Sequence, residues 1–385
     1  MAPFEFATAT RIIFGPGCVS ELIPAVRSFG RRALLVTGSS PRRGRSVHEA
    51  LASAEVTVSP FSVAHEPSID DIAAGVKLAR SASVECVIGV GGGSVLDAAK
   101  AISALLTNPG EITDYLEVIG KAHPLTQAAV PCIAVPTTAG TGAEVTRNAV
   151  LASSAHRVKV SLRSPLMLPR LALVDPELTR DLPPGLTATT GLDALTQLIE
   201  PYVSGRANPM TDGLCVEGLK RVARSLRRAV ENGGDAAARE DMSLASLFGG
   251  LALANAGLGA VHGFAGPIGG AFPAPHGAVC AALLAPVTAA NLRALRERAP
   301  DSESLPRYAE LARLLTGHAA AEADDAVKWI AALVAGLRIP RLSAYGVTAT
   351  DVSGLIDAAR RASSMKANPV TLSPEECGEI LFSAL

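Results

Sequence analysis

Three polar side chains recur on one side of a predicted helix in the segment GLDALTQLIEPYVS, residues 191–204. Asp193, Gln197 and Glu200 are separated by four and three residues, and side chains at this spacing share one face of an α-helix. A carboxylate followed one turn later by a histidine would supply half of a metal site, but glutamine holds the second position here. By itself the segment is compatible with a metal site, a damaged metal site or an ordinary helix.

Two histidines lie in a glycine- and proline-rich segment, GLGAVHGFAGPIGGAFPAPHGAVCAALLAP, at residues 257–286. His262 and His276 flank what the glycine and proline content predicts to be a loop. Together with Asp193 they would offer three nitrogen and oxygen ligands to a divalent ion and leave positions open for a substrate. The competing interpretation from spacing alone is that both histidines are hydrogen-bonded residues of an apolar core.

A glycine loop follows an apolar strand in VECVIGVGGGSVLDAAKAISALL, residues 84–106. Gly92 and Gly93 allow the backbone to approach a ligand closely, and Ser94 with Asp97 forms a capping-box pattern for the helix that follows. Free N–H groups and the positive end of the helix dipole would then suit a pyrophosphate. The alternative is a tight strand-to-helix turn that needs glycine for its geometry.

A second polar loop, within VPTTAGTGAEVT at residues 135–146, follows another apolar strand. The hydroxyls of Thr137, Thr138 and Thr141 suit contacts with phosphate, ribose or amide groups. The alternative is a threonine-rich turn that begins a helix at Ala143. Because both loops follow strands of one predicted sheet, together they predict a nucleotide-binding cleft.

The elements around these loops alternate between apolar strands and amphipathic helices, which predicts a largely parallel sheet covered on both faces. The predicted strands are 31–38, 56–63, 84–90, 131–138 and 170–176, and the helices between them include 47–54, 69–81 and 94–106. Beyond Leu178 the pattern becomes helical, with predicted helices at 186–203, 209–231, 237–257, 275–296, 303–316, 321–336, 349–362 and 374–383. We therefore expect an α/β domain at 1–180 and an all-helical domain at 181–385.

Composition narrows the class of protein. The chain has 385 residues, 48% of them hydrophobic, and a net charge of −1, which argues against a nucleic-acid partner because such binding needs a positive surface. The six cysteines form no CxxC pair and are expected to be reduced, mostly buried thiols. The sequence shows no signal peptide and no apolar run long enough to cross a membrane, so a soluble cytoplasmic protein without a membrane partner is expected.

Six motifs, taken in order, resemble those of the iron-containing (group III) alcohol dehydrogenases, which have the dehydroquinate-synthase-like fold. They are VGGGSVLDAAK, PTTAGTGAEVT, VDPELTRDLPP, TGLDALTQLIEPYVS, VHGFAGPIGG and FPAPHGAVCAALLAP. The similarity runs from the FGPG segment at 14–17 to the KANP segment at 366–369. It implies a dinucleotide-binding N-terminal domain, a helical C-terminal domain, an active site between them and a homodimer.

The resemblance also assigns residues. Those matched to cofactor binding (NAD or NADP) are Gly38, Ser39, Gly92, Gly93, Ser94, Asp97, Thr137, Thr138, Thr141, Lys159 and Leu178. The family holds iron, sometimes zinc, with one aspartate and three histidines, which Asp193, His262 and His276 match in part. Gln197 stands where the fourth ligand, a histidine, is expected, and Gly266 stands where many relatives have a further histidine near the nicotinamide.

These departures leave open whether a metal ion is bound and which ion it is. A glutamine oxygen is a weaker donor than imidazole, so the site is compatible with Fe²⁺ or Zn²⁺ bound through Asp193, Gln197, His262 and His276, or with no metal. In the metal-free case a histidine would supply charge and a proton to the substrate, and maleylacetate reductases resemble the family while working without the usual ligand set.

The sequence also departs from the family pattern at a position that affects the preference between NAD and NADP. Gly38 replaces the aspartate that many NAD-preferring relatives carry after this strand, and Arg42, Arg43 and Arg45 follow it. Guanidinium groups match phosphate geometry, so we expect NADP to be accepted; the alternative is a solvated basic turn.

The function that the resemblance implies is hydride transfer between NAD(P) and a small alcohol, aldehyde or keto acid, with Asp193, His262 and His276 as catalytic residues. The alternatives are a maleylacetate-type reductase without metal, a weakened nucleotide-binding homologue and a lyase of the dehydroquinate synthase type.

Overall fold

The computed structural model describes residues 3–39, 41–153, 155–156 and 158–385, and it describes the side chains of all of these except residues 41–44. The chain divides into two compact units. One comprises residues 7–138 and 142–179, and the other comprises residues 1–6, 139–141 and 180–385. The first unit contains the strands, and the second is helical.

The described residues of the first unit form eight strands and five α-helices. The strands are β1 Ile12–Phe14, β2 Arg32–Thr37, β3 Thr57–Ser62, β4 Cys86–Gly91, β5 Cys132–Pro136, β6 Asn148–Ser153, β7 Val158–Arg163 and β8 Leu171–Val174. The helices are α1 Leu22–Phe29, α2 Pro41–Ser53, α3 Ile69–Ser81, α4 Gly93–Thr107 and α5 Ile112–Tyr115.

Six of these strands form one sheet in the order β1-β8-β5-β4-β2-β3, and every neighbouring pair is parallel. Alternate residues of β2 enter two different cores, Leu34 and Val36 on one face and Ala33 and Leu35 on the other. A parallel sheet buried on both faces needs such continuous apolar strands, and the predicted fold class is confirmed.

The first unit also contains an antiparallel hairpin, β6–β7, that the sequence analysis did not predict. The hairpin strand β7 contains Lys159, one of the expected cofactor residues, whose amino group pairs with Glu66 Oε1 at 2.6 Å. Short, mixed-polarity strands of this kind give a weak periodic signal because only one of their faces is buried.

The second unit contains nine α-helices in the described part of the chain. They are α6 Pro184–Val203, α7 Pro209–Glu231, α8 Ala236–Ala256, α9 Ala260–Ala271, α10 His276–Arg298, α11 Ser304–Thr316, α12 Ala323–Gly336, α13 Val352–Arg361 and α14 Pro374–Ala384. One continuous apolar core runs through them.

The prediction of a loop between the two histidines is wrong, because most of that segment forms helix α9. Its glycines oppose helix formation by about 1 kcal/mol each, but they allow close packing. A Cβ on Gly263 would lie 2.8 Å from Met365 side-chain atoms. Tertiary packing therefore outweighs the local propensity, and His262 is held on a helix.

By length and composition alone, helix α10 is long and apolar enough to cross a membrane. Helices α8 and α9, which meet at an angle of 100°, are long and apolar enough only when they are taken together. In α10, 72% of the apolar window is buried inside the protein. Its apolar side chains thus pack against the helices of its own unit.

A buried carboxyl in the first unit gives a prediction for stability. Burial raises the pKa of Glu144 from 4.5 to about 7, although its own backbone N–H and the charge of Lys100 act in the opposite direction. Between these pH values the folded chain keeps a proton that the unfolded chain loses, so stability falls as pH rises. The free energy of unfolding of the wild type should fall by about 2 kcal/mol between about pH 5.5 and 7 because of this carboxyl. In Glu144→Gln this decrease should be absent.

The measurement is urea unfolding of the wild type and of Glu144→Gln across that pH range. The exposed Glu49→Gln variant is the control, and it should keep the wild-type pH dependence. Equal pH dependence in Glu144→Gln and the wild type would show that Glu144 is ionised in the folded protein at neutral pH.

Candidate active site and metal centre

Helix α6 carries the polar residues with which the sequence analysis began. Asp193, Gln197 and Glu200 are 2%, 3% and 5% exposed, so all three point into the protein. Helix α10 approaches α6 closely because it has glycine at position 277, where a Cβ would lie 2.4 Å from the Thr189 carbonyl oxygen. This contact brings the start of α10 beside the polar face of α6.

Four side chains from α6, α9 and α10 converge there. Nε2 of His262 lies 3.4 Å from Asp193 Oδ1, and Nε2 of His276 lies 3.6 Å from the same oxygen. The Cys280 sulfur lies 3.9 Å from His262 Nε2 and 3.7 Å from His276 Nε2. One ligand atom from each of the four lies within 4.8 Å of the others. The structure brings together Asp193, His262 and His276, which the sequence analysis grouped as candidate ligands, and adds Cys280 to them.

Glu200 fixes His262 from the opposite side of its ring. Its Oε2 accepts from His262 Nδ1 at 2.6 Å, and its Oε1 accepts from the Val261 backbone N–H at 2.7 Å. A Cβ on Gly259 would lie 2.9 Å from Oε1, so glycine makes room for the carboxylate. Glu200 thereby caps helix α9 and leaves Nε2 of His262 directed at the cluster.

The charges in the cluster reinforce one another. Burial alone lowers the pKa of His262, but the negative charges of Cys280, Glu200 and Asp193 hold it well above its usual range. The same sulfur is the main cause of the raised pKa of His276. Although burial raises the pKa of Cys280 and of Asp193, the two histidines outweigh it and lower both. The surroundings therefore favour a thiolate and a carboxylate facing two imidazoles.

The four donors fit a divalent metal ion. Bonds of about 2.0–2.3 Å in a tetrahedron place neighbouring nitrogen and oxygen donors about 3.4 Å apart, and nitrogen and sulfur donors about 3.6 Å apart. The measured nitrogen–oxygen separations are 3.4 and 3.6 Å, and the nitrogen–sulfur separations are 3.7 and 3.9 Å. Asp193 Oδ1 is also a buried oxygen without a hydrogen bond of good geometry, as expected of a ligand atom.

Access to the cluster is from one side. The His262 side chain is 7% exposed, whereas that of His276 is 34% exposed. Gly266, one turn after His262, leaves open space where a Cβ would meet no atom within 4 Å. The His276 side of the cluster is therefore its more exposed side.

Gln197 lies next to the cluster and bonds to one of its members. Its side chain hydrogen-bonds to Asp193, while its own Oε1 is buried without a partner. The amide thus helps to hold the carboxylate in place.

The two predicted phosphate loops begin side by side at the ends of neighbouring strands of the α/β unit, and residues 139–141 of the second loop are grouped with the helical unit. Strands β4 and β5 pair up to Gly91 and Pro136, and the Thr137 N–H donates to the Gly91 carbonyl at 2.9 Å. A Cβ on Gly92 would lie 3.3 Å from Thr138. Among the described residues, the N–H groups of Gly93 and Ser94 at the start of α4 have no hydrogen-bond partner. They are available to an anion.

The predicted capping box at this helix is wrong. The N-cap of α4 is Gly92, without a side-chain cap, and Ser94 is already inside the helix. The Asp97 carboxylate instead pairs with Lys100 at 3.0 Å and accepts from the Val150 N–H at 2.9 Å. An uncapped start leaves the N–H groups free for a ligand.

Other expected cofactor residues occupy varied positions in the same unit. Gly38 follows β2 and lies next to α4, where an added Cβ would be 3.7 Å from Val95, and Ser39 is exposed. Leu178 is half-buried against the apolar core. The side chains of Arg42 and Arg43 lie outside the described residues. The structure thus places Gly38 and the Gly92–Ser94 loop at the carboxyl ends of neighbouring strands.

The sequence analysis did not recognise Cys280 as a site residue. It also missed the role of Glu200 as the hydrogen-bond partner of His262. Cys280 was grouped with the other buried thiols, and the free cysteines of the described chain are indeed mostly buried. The available signal was its spacing, since it follows His276 by one helical turn. Glu200 shares a helical face with Asp193, but its partner is a helix that was predicted as loop.

Known proteins match the chain over nearly its full length. The family profile for iron-containing alcohol dehydrogenase matches residues 9–176, and the profile for the C-terminal region of the Fe-containing alcohol dehydrogenase family matches residues 187–385. Alcohol dehydrogenase 4 of Schizosaccharomyces pombe is 35% identical over 97% of this chain and 87% of its own length. The 1,3-propanediol dehydrogenase of Citrobacter freundii is 34% identical over 99% of this chain and 98% of its own length.

A solved structure shows the same fold. The crystal structure of a 1,3-propanediol oxidoreductase superposes with a TM-score of 0.92 at 32% identity and covers 100% of both chains. Sequence and fold agree, and this chain is an oxidoreductase that belongs to the iron-containing alcohol dehydrogenase family.

Proposed function

We propose that the chain is an NAD(P)-dependent enzyme that interconverts a small alcohol and its aldehyde or ketone by hydride transfer. The observation that carries the proposal is the convergence of Asp193, His262 and His276 on one partly open point. In this proposal residues 1–180 bind the dinucleotide and residues 181–385 hold the metal ion and the substrate.

Membership in the family implies a nicotinamide nucleotide and a metal ion. When bound, the ion would polarise the substrate C–O bond as a Lewis acid. Asp193, His262 and His276 would hold it, with Gln197 beside them as the predicted fourth member of the set. Glu200 keeps His262 Nε2 pointed at that position.

The chain's own residues carry the rest of the reaction. In the metal-free alternative, His276 would take up or deliver the alcohol proton, because its side chain is the more exposed of the two histidines. The pyrophosphate and ribose would be held by Gly93 and Ser94 and by the loop that contains Thr137, Thr138 and Thr141. These contacts would position the nicotinamide. Asp97, Lys159 and Leu178 would support these loops.

Gly38 gives a test of nucleotide preference. NADP should be accepted because no carboxylate follows β2 to repel its 2′-phosphate, and the exposed Arg45 lies on the next helix. A side chain fits at Gly38, since its Cβ would make ordinary contact at 3.7 Å. Gly38→Asp should raise the KM for NADP at least about tenfold, with little change for NAD, because a charge beside phosphate costs about 1.4 kcal/mol or more.

Steady-state kinetics with both nucleotides measure this effect. Gly38→Asn has the same shape without the charge and is the matched control. Equal changes in the two variants would show that size, not charge, matters at this position, and a strong NAD preference in the wild type would contradict the expected NADP acceptance.

The experiment that tests the whole proposal is a spectrophotometric screen of NAD(P)H oxidation. The substrates should include small aldehydes, ketones, keto acids and maleylacetate, each with and without added zinc or ferrous ion. Turnover of aldehydes or ketones supports the proposal. Turnover of maleylacetate alone, unaffected by chelation, would replace it with a metal-free reductase, and no turnover with any substrate would contradict it.

A further inference from the structure

The fourth donor at the cluster of Asp193, His262 and His276 is a sulfur atom. We propose that Cys280 is a metal ligand and that the resulting Asp/His/His/Cys set makes this a zinc site and not an iron(II) site. This inference rests on the proposed function only in assuming that the cluster binds a metal ion.

Helix geometry places the sulfur correctly. His276 and Cys280 are four residues apart on α10 and therefore lie on the same face of that helix, one turn apart. The sulfur lies 3.7 Å from His276 Nε2 and 3.9 Å from His262 Nε2. These separations are close to the about 3.6 Å expected when a nitrogen at 2.0–2.1 Å and a sulfur at 2.3 Å share a tetrahedral ion.

The carboxylate of the cluster supplies an independent sign of a missing partner. Asp193 is 2% exposed, and its Oδ1 is buried without a hydrogen bond. Nε2 of His262 and Nε2 of His276 lie 3.4 and 3.6 Å from this oxygen, and neither makes a hydrogen bond of good geometry with it. A buried oxygen of this kind is costly unless something binds it, and a cation at the centre of the four donors would do so.

Gln197 is less suited to be the fourth ligand. Its side chain hydrogen-bonds to Asp193, and its neutral amide oxygen is a weaker donor than a thiolate. In this arrangement Gln197 orients the carboxylate, which then binds the ion.

The donor set decides the ion. Thiolate is a soft ligand that favours zinc, whereas sites of oxygen and nitrogen donors accept iron(II) more readily. One sulfur, two imidazoles and one carboxylate give four protein ligands, the preferred number for zinc, which can take a fifth ligand during catalysis. Zinc also binds more tightly than iron(II) to a given site, so the sulfur adds to an existing preference.

Cobalt(II) substitution tests the ligand directly. The protein is stripped with a chelator and loaded with Co²⁺, and a thiolate ligand should produce a sulfur-to-cobalt charge-transfer band in the near ultraviolet. The band should be present in the wild type and lost in Cys280→Ser. It should persist in Cys215→Ala, the matched control, because Cys215 is a fully buried thiol of the same helical unit on α7.

Metal affinity gives the second readout. Zinc binding, measured by competition with a chromophoric chelator, should weaken at least about 100-fold in Cys280→Ser, since even outer partners of ligands contribute 10–100-fold. The preference for zinc over iron(II) should fall in the same variant. Cys215→Ala should match the wild type in both measurements.

X-ray absorption of the zinc-loaded wild type tests the same ligand without a variant, so its result does not depend on whether Cys280→Ser folds. A sulfur neighbour at about 2.3 Å is expected, and a shell of nitrogen and oxygen alone would overturn the inference. So would a cobalt band that survives in Cys280→Ser, or a stripped protein that binds no zinc. In those cases NAD(P)-dependent turnover would still support the proposed function, whereas a zinc–sulfur site without any turnover would contradict that function and leave the ligand assignment standing.

Discussion

Replacing Asp193 with asparagine is expected to lower kcat/KM for aldehyde reduction by about 10³-fold, which corresponds to about 4 kcal/mol. The carboxylate oxygen Oδ1 lies 3.4 Å from His262 Nε2 and 3.6 Å from His276 Nε2. Asparagine keeps the shape but removes the charge, so the cluster would lose its anionic oxygen ligand. A Lewis-acid metal contributes several kcal/mol to the stabilisation of developing charge, and most of that contribution should be lost.

The measurements are steady-state kinetics and metal content by mass spectrometry, before and after zinc is added. Thr196→Val is the matched control. Thr196 is fully buried on the same helix, and its hydroxyl bonds to the Leu192 carbonyl of that helix. The control should keep near-wild-type activity. A loss of less than about tenfold in Asp193→Asn, with unchanged metal content, would show that Asp193 is not a ligand.

The parallel sheet was predictable because its signal is local and redundant. Buried strands such as β2 and β4 are runs of apolar residues, and the glycine loop after β4 marks the point where a parallel strand turns into a helix. The carboxyl ends of parallel strands meet at one edge of a sheet, so the two loops were expected at the same edge. That β4 and β5 are neighbours, which brings Gly91 beside Thr137, was learned from the structure.

The metal site was predictable in part. The spacing of Asp193 and Gln197 and the two histidine motifs identified three donors, but the fourth depended on packing. Cys280 joins the cluster because α10 approaches α6 at Gly277, and a contact between distant helices leaves no periodic signal in one sequence. For the same reason α9 was mistaken for a loop, since the packing that stabilises its glycines comes from Met365.

Glu200 shows how that packing contributes to function, and it carries the second large prediction. Its carboxylate accepts two hydrogen bonds at once, from His262 Nδ1 and from the Val261 N–H. Glu200→Gln keeps the shape but replaces one acceptor with an NH₂ group. One of the two donors must then face another donor, because an amide has only one oxygen.

Two consequences follow for His262. Either its Nδ1–H loses its acceptor and the ring is free to turn, or the start of α9 loses its cap and the histidine shifts with the helix. Outer partners of metal-binding histidines contribute 10–100-fold to affinity or activity, and this one is 5% exposed and serves two roles. We expect zinc affinity and kcat/KM to fall together, by about 100-fold.

A merely structural role for Glu200 would be revealed by comparing zinc affinity with thermal stability. Tyr308 is buried nearby and its hydroxyl receives a hydrogen bond from Asn291, so Tyr308→Phe removes a buried polar contact of the same unit without touching His262. The two variants should lose similar stability, but only Glu200→Gln should lose zinc affinity. If zinc affinity were unchanged in Glu200→Gln, then His262 would be oriented by the core of α9 alone, and the carboxylate would serve only as the cap of that helix.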